Sequence, residues 1–313
     1  MTVHIPVMLD KILELLRPWE EVGLVVDGTL GAGGHSRAIL ERCQGASLIG
    51  IDQDQSILDI AREVLSPFGD RVRTVLGNFR DVGRILADLG SPRVSAFVFD
   101  LGISSWQVDT PERGFSFNYK GPLDMRMDMG RLGSRTAADI VNGWSMAELA
   151  ALFRRYGEDP FAYQVARAIC RHREKEGPIE TCEALVSVIR SAIPAPAQRK
   201  MRGHPARRIF QALRIEVNDE LGALEELLDQ LPSMGSEGCK VIFITYHSLE
   251  DRLVKGRMRE WAGQDLGVPL TRKPLVPSEE EVELNRRARS AKVRCFVFGE
   301  PRRRRCSHVP SKT

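Results

Sequence analysis

Three aspartates each close an apolar run: Asp27 after Val25-Val26, Asp52 after Ala46-Ser47-Leu48-Ile49-Gly50-Ile51, and Asp100 after Val94-Ser95-Ala96-Phe97-Val98-Phe99. A carboxylate at the carboxyl end of a strand faces the crevice in which open α/β sheets bind their ligands. Behind the first acid comes a glycine-dense loop, Gly28-Thr29-Leu30-Gly31-Ala32-Gly33-Gly34-His35-Ser36, and then helix-like sequence from Ser36 to Glu41. Glycine permits positive φ and removes the Cβ that would hold a ligand away from the backbone N–H groups. An acid at the tip of the second strand is placed to accept hydrogen bonds from ribose hydroxyls. A nucleoside-like ligand is therefore expected.

The glycine spacing narrows the ligand. A dinucleotide fingerprint reads G-x-G-x-x-G/A, whereas Gly31-Ala32-Gly33-Gly34-His35-Ser36 ends in serine. Asp27, just ahead of the loop, repels a pyrophosphate and suits a cation. S-adenosyl-L-methionine carries an ammonium and a sulfonium and no phosphate, so it fits better than a nicotinamide cofactor. A purely structural glycine turn is the plainer alternative. On the cofactor reading, Gly33 and Gly34 pack against the methionine part, Asp52 holds the ribose and Phe79 walls the adenine. Asp100 sits where cofactor and substrate meet. The plainer roles are a core aromatic for Phe79 and a helix cap for Asp100.

Methyl transfer from a sulfonium is an in-line displacement in which the site supplies orientation and electrostatics. An aromatic exocyclic amine is a poor nucleophile until an acceptor for its N–H bonds localises the lone pair. Asp100, with the backbone of Leu101 to Ile103, is suited to that. The Asn/Asp/Ser-Pro-Pro-aromatic tetrapeptide of many amino-methyltransferases is absent; Asp100-Leu101-Gly102-Ile103-Ser104-Ser105 stands there instead. No cysteine lies nearby to serve carbon-5 pyrimidine chemistry. Tyr246-His247-Ser248-Leu249-Glu250-Asp251-Arg252 follows a later strand, so His247 is a general base or a positioning group. Ser248 with Asp251 resembles a capping box. Asp100, Ser104 and His247 are the catalytic candidates. Trp106-Gln107 and Asp124-Met125-Arg126-Met127-Asp128 are loop elements able to shape a base pocket. No metal-ligand motif is present.

The elements that must position these groups follow from periodicity. Leu9 to Leu16, Ser56 to Leu65 and Val82 to Leu89 read as helices; Val72 to Leu76 and Cys239 to Tyr246 read as strands, with Cys295 to Phe298 as a last one. Alternating strands and helices imply a parallel sheet covered on both faces. From Ser134 to Ile193 only helical patterns occur, including Ser145 with Glu148 as a capping box and Cys182 to Ile193. Arg208 to Leu231 reads as one long helix. The expected organisation is a sheet domain from 1–131 and 209–313, interrupted by a helical substrate-recognition domain at 132–208.

A chain of 313 residues with a net charge of +3 is an ordinary soluble globular composition. It has no secretory signal and no run long enough for a membrane span, so a cytoplasmic protein is expected. Six scattered cysteines without C-x-x-C suggest free thiols. From Asp251 onward there are sixteen Lys/Arg against eight Asp/Glu, ending in the Arg302–Arg305 tail, which reads as disordered. Arg199, Lys200, Arg202, Arg207, Arg208 and Arg214 cluster without an acid among them. Such clusters attract phosphate backbones, although a solvated basic face is the simpler reading.

Seven motifs together resemble the bacterial MraW/RsmH family, ribosomal RNA small subunit methyltransferase H. They are His4–Leu9, Asp27–Ser36, Asp100–Ser105, Glu112–Phe117, Gly121–Asp128, Phe210–Asn218 and His247–Arg252. The resemblance runs from His4 to about Lys292. It implies a Rossmann-like class I methyltransferase fold with an inserted all-helical domain, and methylation of the exocyclic N4 of one cytidine in the decoding centre of 16S rRNA. It further implies that Gly33, Gly34, His35, Asp52, Phe79, Asp100 and Gln107 line the S-adenosyl-L-methionine site. Gln53 and Gln55, where the family often has Arg and Pro, and Trp106, where Pro is common, depart from the pattern. A noncatalytic RNA-binding ribosome-assembly factor is the alternative, weakened by the intact acids; a DNA substrate is disfavoured. Oligomeric state stays open, a homodimer included, as does free RNA versus an assembled subunit.

Overall fold

The computed structural model describes residues 6–130, 133–201 and 203–299. His4 and Ile5 of the first motif, Arg202 of the basic cluster, Cys306 and the Arg302–Arg305 tail lie outside them.

Among the described residues seven strands form one sheet: β1 (Leu24–Asp27), β2 (Ser47–Asp52), β3 (Val72–Leu76), β4 (Val94–Asp100), β5 (Gly235–Thr245), β6 (Gly267–Pro269) and β7 (Lys292–Phe298). Their order is β3-β2-β1-β4-β5-β7-β6. β1 to β5 pair in parallel, and β7 runs antiparallel to both neighbours. Among the described residues fourteen α-helices accompany them. Before and between the first four strands come α1 (Leu9–Leu15), α2 (Gly34–Arg42), α3 (Gln55–Leu65) and α4 (Val82–Asp88). α5 (Ser105–Asp109) follows β4. The helical stretch holds α6 (Ala137–Gly143), α7 (Met146–Arg155), α8 (Ala162–Lys175), α9 (Cys182–Ala192) and α10 (Ala195–Lys200). α11 (Arg207–Asn218) and α12 (Glu220–Met234) lead back to β5; α13 (Ser248–Gly263) and α14 (Glu279–Leu284) follow it.

Successive strand residues point to opposite faces. Val25, Leu48, Val98 and Ile242 pack on one side with Ile12, Ile39 and Leu58 from α1, α2 and α3. Val26, Ile49, Phe97 and Phe243 pack on the other with Ile85, Leu227 and Met258 from α4, α12 and α13. Burial on both faces is why these strands read as unbroken apolar runs. The helical stretch has a third core, built around Phe153, Val165, Leu185 and Ile189. That core also takes in Phe115, Leu123, Met125 and Met127 from the loop after β4, and Ile209, Phe210 and Leu213 from α11.

Chain order reverses between β1 and β4, which lie side by side. Their carboxyl ends form the crevice in which such sheets bind ligands. Asp27 and Asp100 end those two strands, and Asp52 ends the adjacent β2.

The structure corrects two expectations. The helix expected from Arg208 to Leu231 is two helices, α11 and α12, broken at Asp219 (φ 47°, ψ 43°). Both halves are amphipathic, so periodicity runs through the break; a single left-handed aspartate redirects the chain, a conformation its short polar side chain tolerates. The capping box expected at Ser248 and Asp251 lies one residue earlier. His247 is the cap of α13 and Glu250 its reciprocal partner, because an imidazole nitrogen replaces the usual hydroxyl as acceptor. The capping box of Ser145 and Glu148 forms as expected.

Candidate active site

The loop after β1 is built by its own first acid. Asp27 is 2% exposed; it accepts hydrogen bonds from the Ser36 hydroxyl at 2.6 Å and from the Thr29 N–H at 3.2 Å. It therefore ties strand to helix and does not present itself to solvent. Gly31 (φ 53°) and Gly33 (φ 82°) occupy the left-handed region that glycine enters freely. A Cβ on Gly34 would sit 2.8 Å from Pro6. The Thr29 hydroxyl accepts from the backbone N–H of Asp100 at 2.6 Å, which fastens the loop to the tip of β4.

Asp52 accepts the Gly31 N–H at 2.8 Å and the Asp54 N–H at 2.9 Å. Burial nevertheless pushes its carboxyl up to about 6 against those bonds, with Asp54 and Asp27 adding like charge. A carboxylate has about four acceptor positions, so acceptor capacity remains for hydroxyls. Phe79 begins a short 3-10 turn after β3 and meets Phe99 edge-on, centroids 6.2 Å apart. It is half-buried.

Asp100 is the centre of a second set of contacts. Its Oδ1 accepts the Tyr246 hydroxyl at 2.7 Å, and its Oδ2 lies 3.8 Å from His35 Nδ1. The other ring nitrogen of His35 lies 2.9 Å from the Val7 carbonyl oxygen, which only accepts, so Nε2 carries the proton and Nδ1 faces the acid. Burial drives the Asp100 carboxyl up to about 6; His35 and Tyr246 oppose the rise, while Asp27 and Glu250 add to it.

Ser104 and Gln107 form the capping box of α5. The Ser104 hydroxyl accepts from the Gln107 N–H, and the Gln107 amide donates to Asp54 at 2.9 Å. Both residues thus shape the turn after β4. Asp54 also accepts from Arg113 at 2.5 Å, an ion pair with the acid fully buried. Burial alone would raise the Asp54 carboxyl; bonds from Ser56, Gln107 and Arg113 outweigh it and hold it below its ordinary range. His247 is turned toward Glu250, with Nε2 3.1 Å from Oε1. Among the described residues Glu220, His247 and Glu250 bring ligand-type atoms within 4.8 Å of one another. Arg214 already donates to both Glu220 oxygens, at 2.7 and 2.9 Å, so this cluster is an ion network as it stands.

Gly33, Gly34, His35, Asp52 and Asp100 are therefore joined through one loop and two strand tips. Ser104 and Gln107 join from the next turn through Asp54, and His247 stands behind Tyr246. Three partners were missed in the sequence. Thr29, Tyr246 and Arg113 act through long-range contacts that no local spacing announces, although each lies inside a motif already singled out.

The donor set fits a cationic nucleoside. Burial holds two strand-tip carboxyls near 6, and no Lys or Arg lies between Asp27 and Ser36 to meet a phosphate. The site and the sheet define a Rossmann-like, class I methyltransferase that depends on S-adenosylmethionine.

The chain belongs to the MraW methylase family, whose sequence profile matches residues 1–298. It is 46% identical over 307 residues to the ribosomal RNA small subunit methyltransferase H of Thermobifida fusca, covering 93% of this chain and 92% of that one. It is equally 46% identical over 306 residues to the protein of the same name from Carboxydothermus hydrogenoformans, covering 93% and 96%. Among the described residues no helix is long and apolar enough to cross a membrane. The described cysteines Cys43, Cys170, Cys182, Cys239 and Cys295 are free thiols.

Proposed function

We propose that this protein methylates the exocyclic N4 of a cytidine in the decoding centre of 16S rRNA within the small ribosomal subunit. The observation that carries this reading is Asp100: a carboxylate on the tip of β4, beside the β1 loop, held on one oxygen by Tyr246. S-adenosylmethionine, when bound, supplies an electrophilic methyl group. Gly31, Gly33 and Gly34 bring backbone to it, Asp52 accepts its ribose hydroxyls, Phe79 offers an apolar wall, and His35 and Gln107 complete the surroundings. Oδ2 of Asp100 accepts an N4–H of cytidine, localises the amine lone pair and takes the proton the amine must lose. His35 Nδ1 lies 3.8 Å beyond, and the ring adds positive charge there when it is protonated. Ser104 orients the turn that carries Leu101 to Ile103, and His247 positions Tyr246 and Glu250.

RNA contact falls to the helical segment 132–208. Its surface has a cavity of about 390 Å³ lined by Arg190, Gln198, Arg199 and His204, with no acid among the lining residues. The His204 ring stacks on Phe117, centroids 4.7 Å apart. Arginine beside a stacked ring suits nucleic acid. The rRNA names of the relatives support the same substrate.

Replacing Asp100 by Ala is expected to abolish methyl transfer to small-subunit RNA while the circular-dichroism spectrum persists and the cofactor still binds, more weakly, at saturating concentration. Retained activity would remove Asp100 from the chemistry.

A further inference from the structure

Just beyond the tip of β5 stands a tyrosine that reaches the acid at the tip of β4. Tyr246 is the residue after β5, and its ring lies against the turn that follows β4: a Cβ on Gly102 would stand 3.7 Å from Tyr246 Cδ2. Its hydroxyl donates to Asp100 Oδ1 at 2.7 Å. Its own backbone N–H donates to Glu250 Oε2 at 2.8 Å. Glu250 is 3% exposed and belongs to the His247 capping box. The phenol is thus anchored at its backbone by a buried acid and has a single direction in which to donate.

We propose that Tyr246 is a positioning residue for methyl transfer: its hydroxyl fixes Asp100 Oδ1, so that Oδ2 alone is left to receive the substrate amine. The inference rests on the reading of Asp100 given above. A carboxylate on a freely rotating Cβ–Cγ bond offers two equivalent oxygens in a range of planes. One charge-assisted hydrogen bond removes that freedom and keeps the reacting geometry within the narrow window that in-line transfer demands. The alternative occupant of Oδ1 is water, which neither sets a plane nor excludes itself from the amine.

The phenol also sets the pH range in which Asp100 serves as an acceptor. The groups facing Asp100 are His35 from α2, Tyr246 beyond β5, Asp27 from β1 and Glu250 from α13. The first two stabilise its charge, and the two acids oppose it. Deleting the phenol hydroxyl leaves His35 alone against burial and both acids, so the acid must titrate at higher pH.

The test is the pH profile of kcat for wild type and Tyr246→Phe, with small ribosomal subunits lacking the modification as substrate. Cofactor affinity and thermal melting are measured in parallel. The expected result is a tenfold to hundredfold loss of kcat, cofactor affinity within about twofold, and an acid limb displaced upward by about one pH unit. A profile superimposable on wild type overturns the proposal, as does a loss confined to cofactor affinity. Incorporation of 3-fluorotyrosine at 246 keeps the ring and strengthens the donor, so it serves even if Tyr246→Phe fails to fold. It is expected to move the acid limb downward, and an unmoved limb overturns the proposal. Mass spectrometry of the methylated nucleoside runs alongside. A product other than N4-methylcytidine refutes the substrate assignment, while the limb still decides the role of Tyr246.

Discussion

Arg113 reaches across from the loop after β4 to place Nη1 2.5 Å from Oδ2 of Asp54, at the start of α3. Its Nη2 donates to the carbonyls of Arg126 and Met127 at 2.9 and 3.0 Å. One buried guanidinium therefore fastens the motif loops between β4 and α6 to the cofactor half of the sheet. Removing one partner of such a pair strands the other charge. Arg113→Ala is expected to lower unfolding free energy by about 3–5 kcal/mol, read from denaturant melts. A change under about 1 kcal/mol would show the pair to be dispensable.

Asp100 should make the folded state less stable at neutral pH. Its folded value of about 6 lies above the ordinary 3.8. Relative to the unfolded chain, the favourable contribution is full below about 3.8 and is lost as pH rises through about 6. Asp100→Asn removes the charge and keeps an oxygen to accept from Tyr246. At pH 7.5 it is expected to gain about 1–2 kcal/mol, a figure reduced for partial exposure, and to lose that gain near pH 4. Thermal melts across pH check the sign; destabilisation at pH 7.5 would contradict it.

Cofactor binding should release protons. Asp52 and Asp100 are both held near 6 by burial, and a cation between them favours their ionised forms. Calorimetry in buffers of different ionisation enthalpy is expected to show release at pH 6 that fades by pH 8, with affinity falling below pH 6. A pH-independent affinity would place the sulfonium away from these acids.

Gly33 should tolerate no side chain. At φ 82° any Cβ is strained, and Leu65 side-chain atoms stand 3.2 to 3.6 Å away. Gly33→Ala is expected to cost about 1 kcal/mol or more and to weaken cofactor binding at least tenfold. Gly45→Ala, with nothing within 4 Å of its Cβ, is the control and should leave binding unchanged.

Arg190 and Arg199 should contact RNA phosphates. The double alanine variant is expected to weaken small-subunit RNA binding and to reduce the salt slope of log K by about 2, about 1 per arginine. Cofactor affinity should not move. An unchanged slope would assign the cavity no share in RNA binding.

Much of this site was legible because its key groups sit at strand tips. Asp27, Asp52 and Asp100 end apolar runs, and a buried parallel strand announces itself by that pattern alone. The glycine loop was legible because positive φ restricts residue type. What stayed hidden depends on distance in the chain. Tyr246 and Asp100 are 146 residues apart, and Asp54 and Arg113 are 59 apart. The break at Asp219 was invisible because one left-handed residue leaves helical periodicity intact on either side. The three-residue β6 is too short for any alternation to show. The bond from the Ser36 hydroxyl to Asp27, nine residues apart across the glycine loop, was likewise not announced by any spacing.

The most direct measurement supplies labelled S-adenosylmethionine and the purified protein to small ribosomal subunits lacking the modification, then digests the RNA to nucleosides for mass spectrometry. A single N4-methylcytidine from 16S rRNA, absent with Asp100→Ala, is the expected result. Label on another base, on DNA, or on nothing at all from protein that binds the cofactor would contradict the assignment.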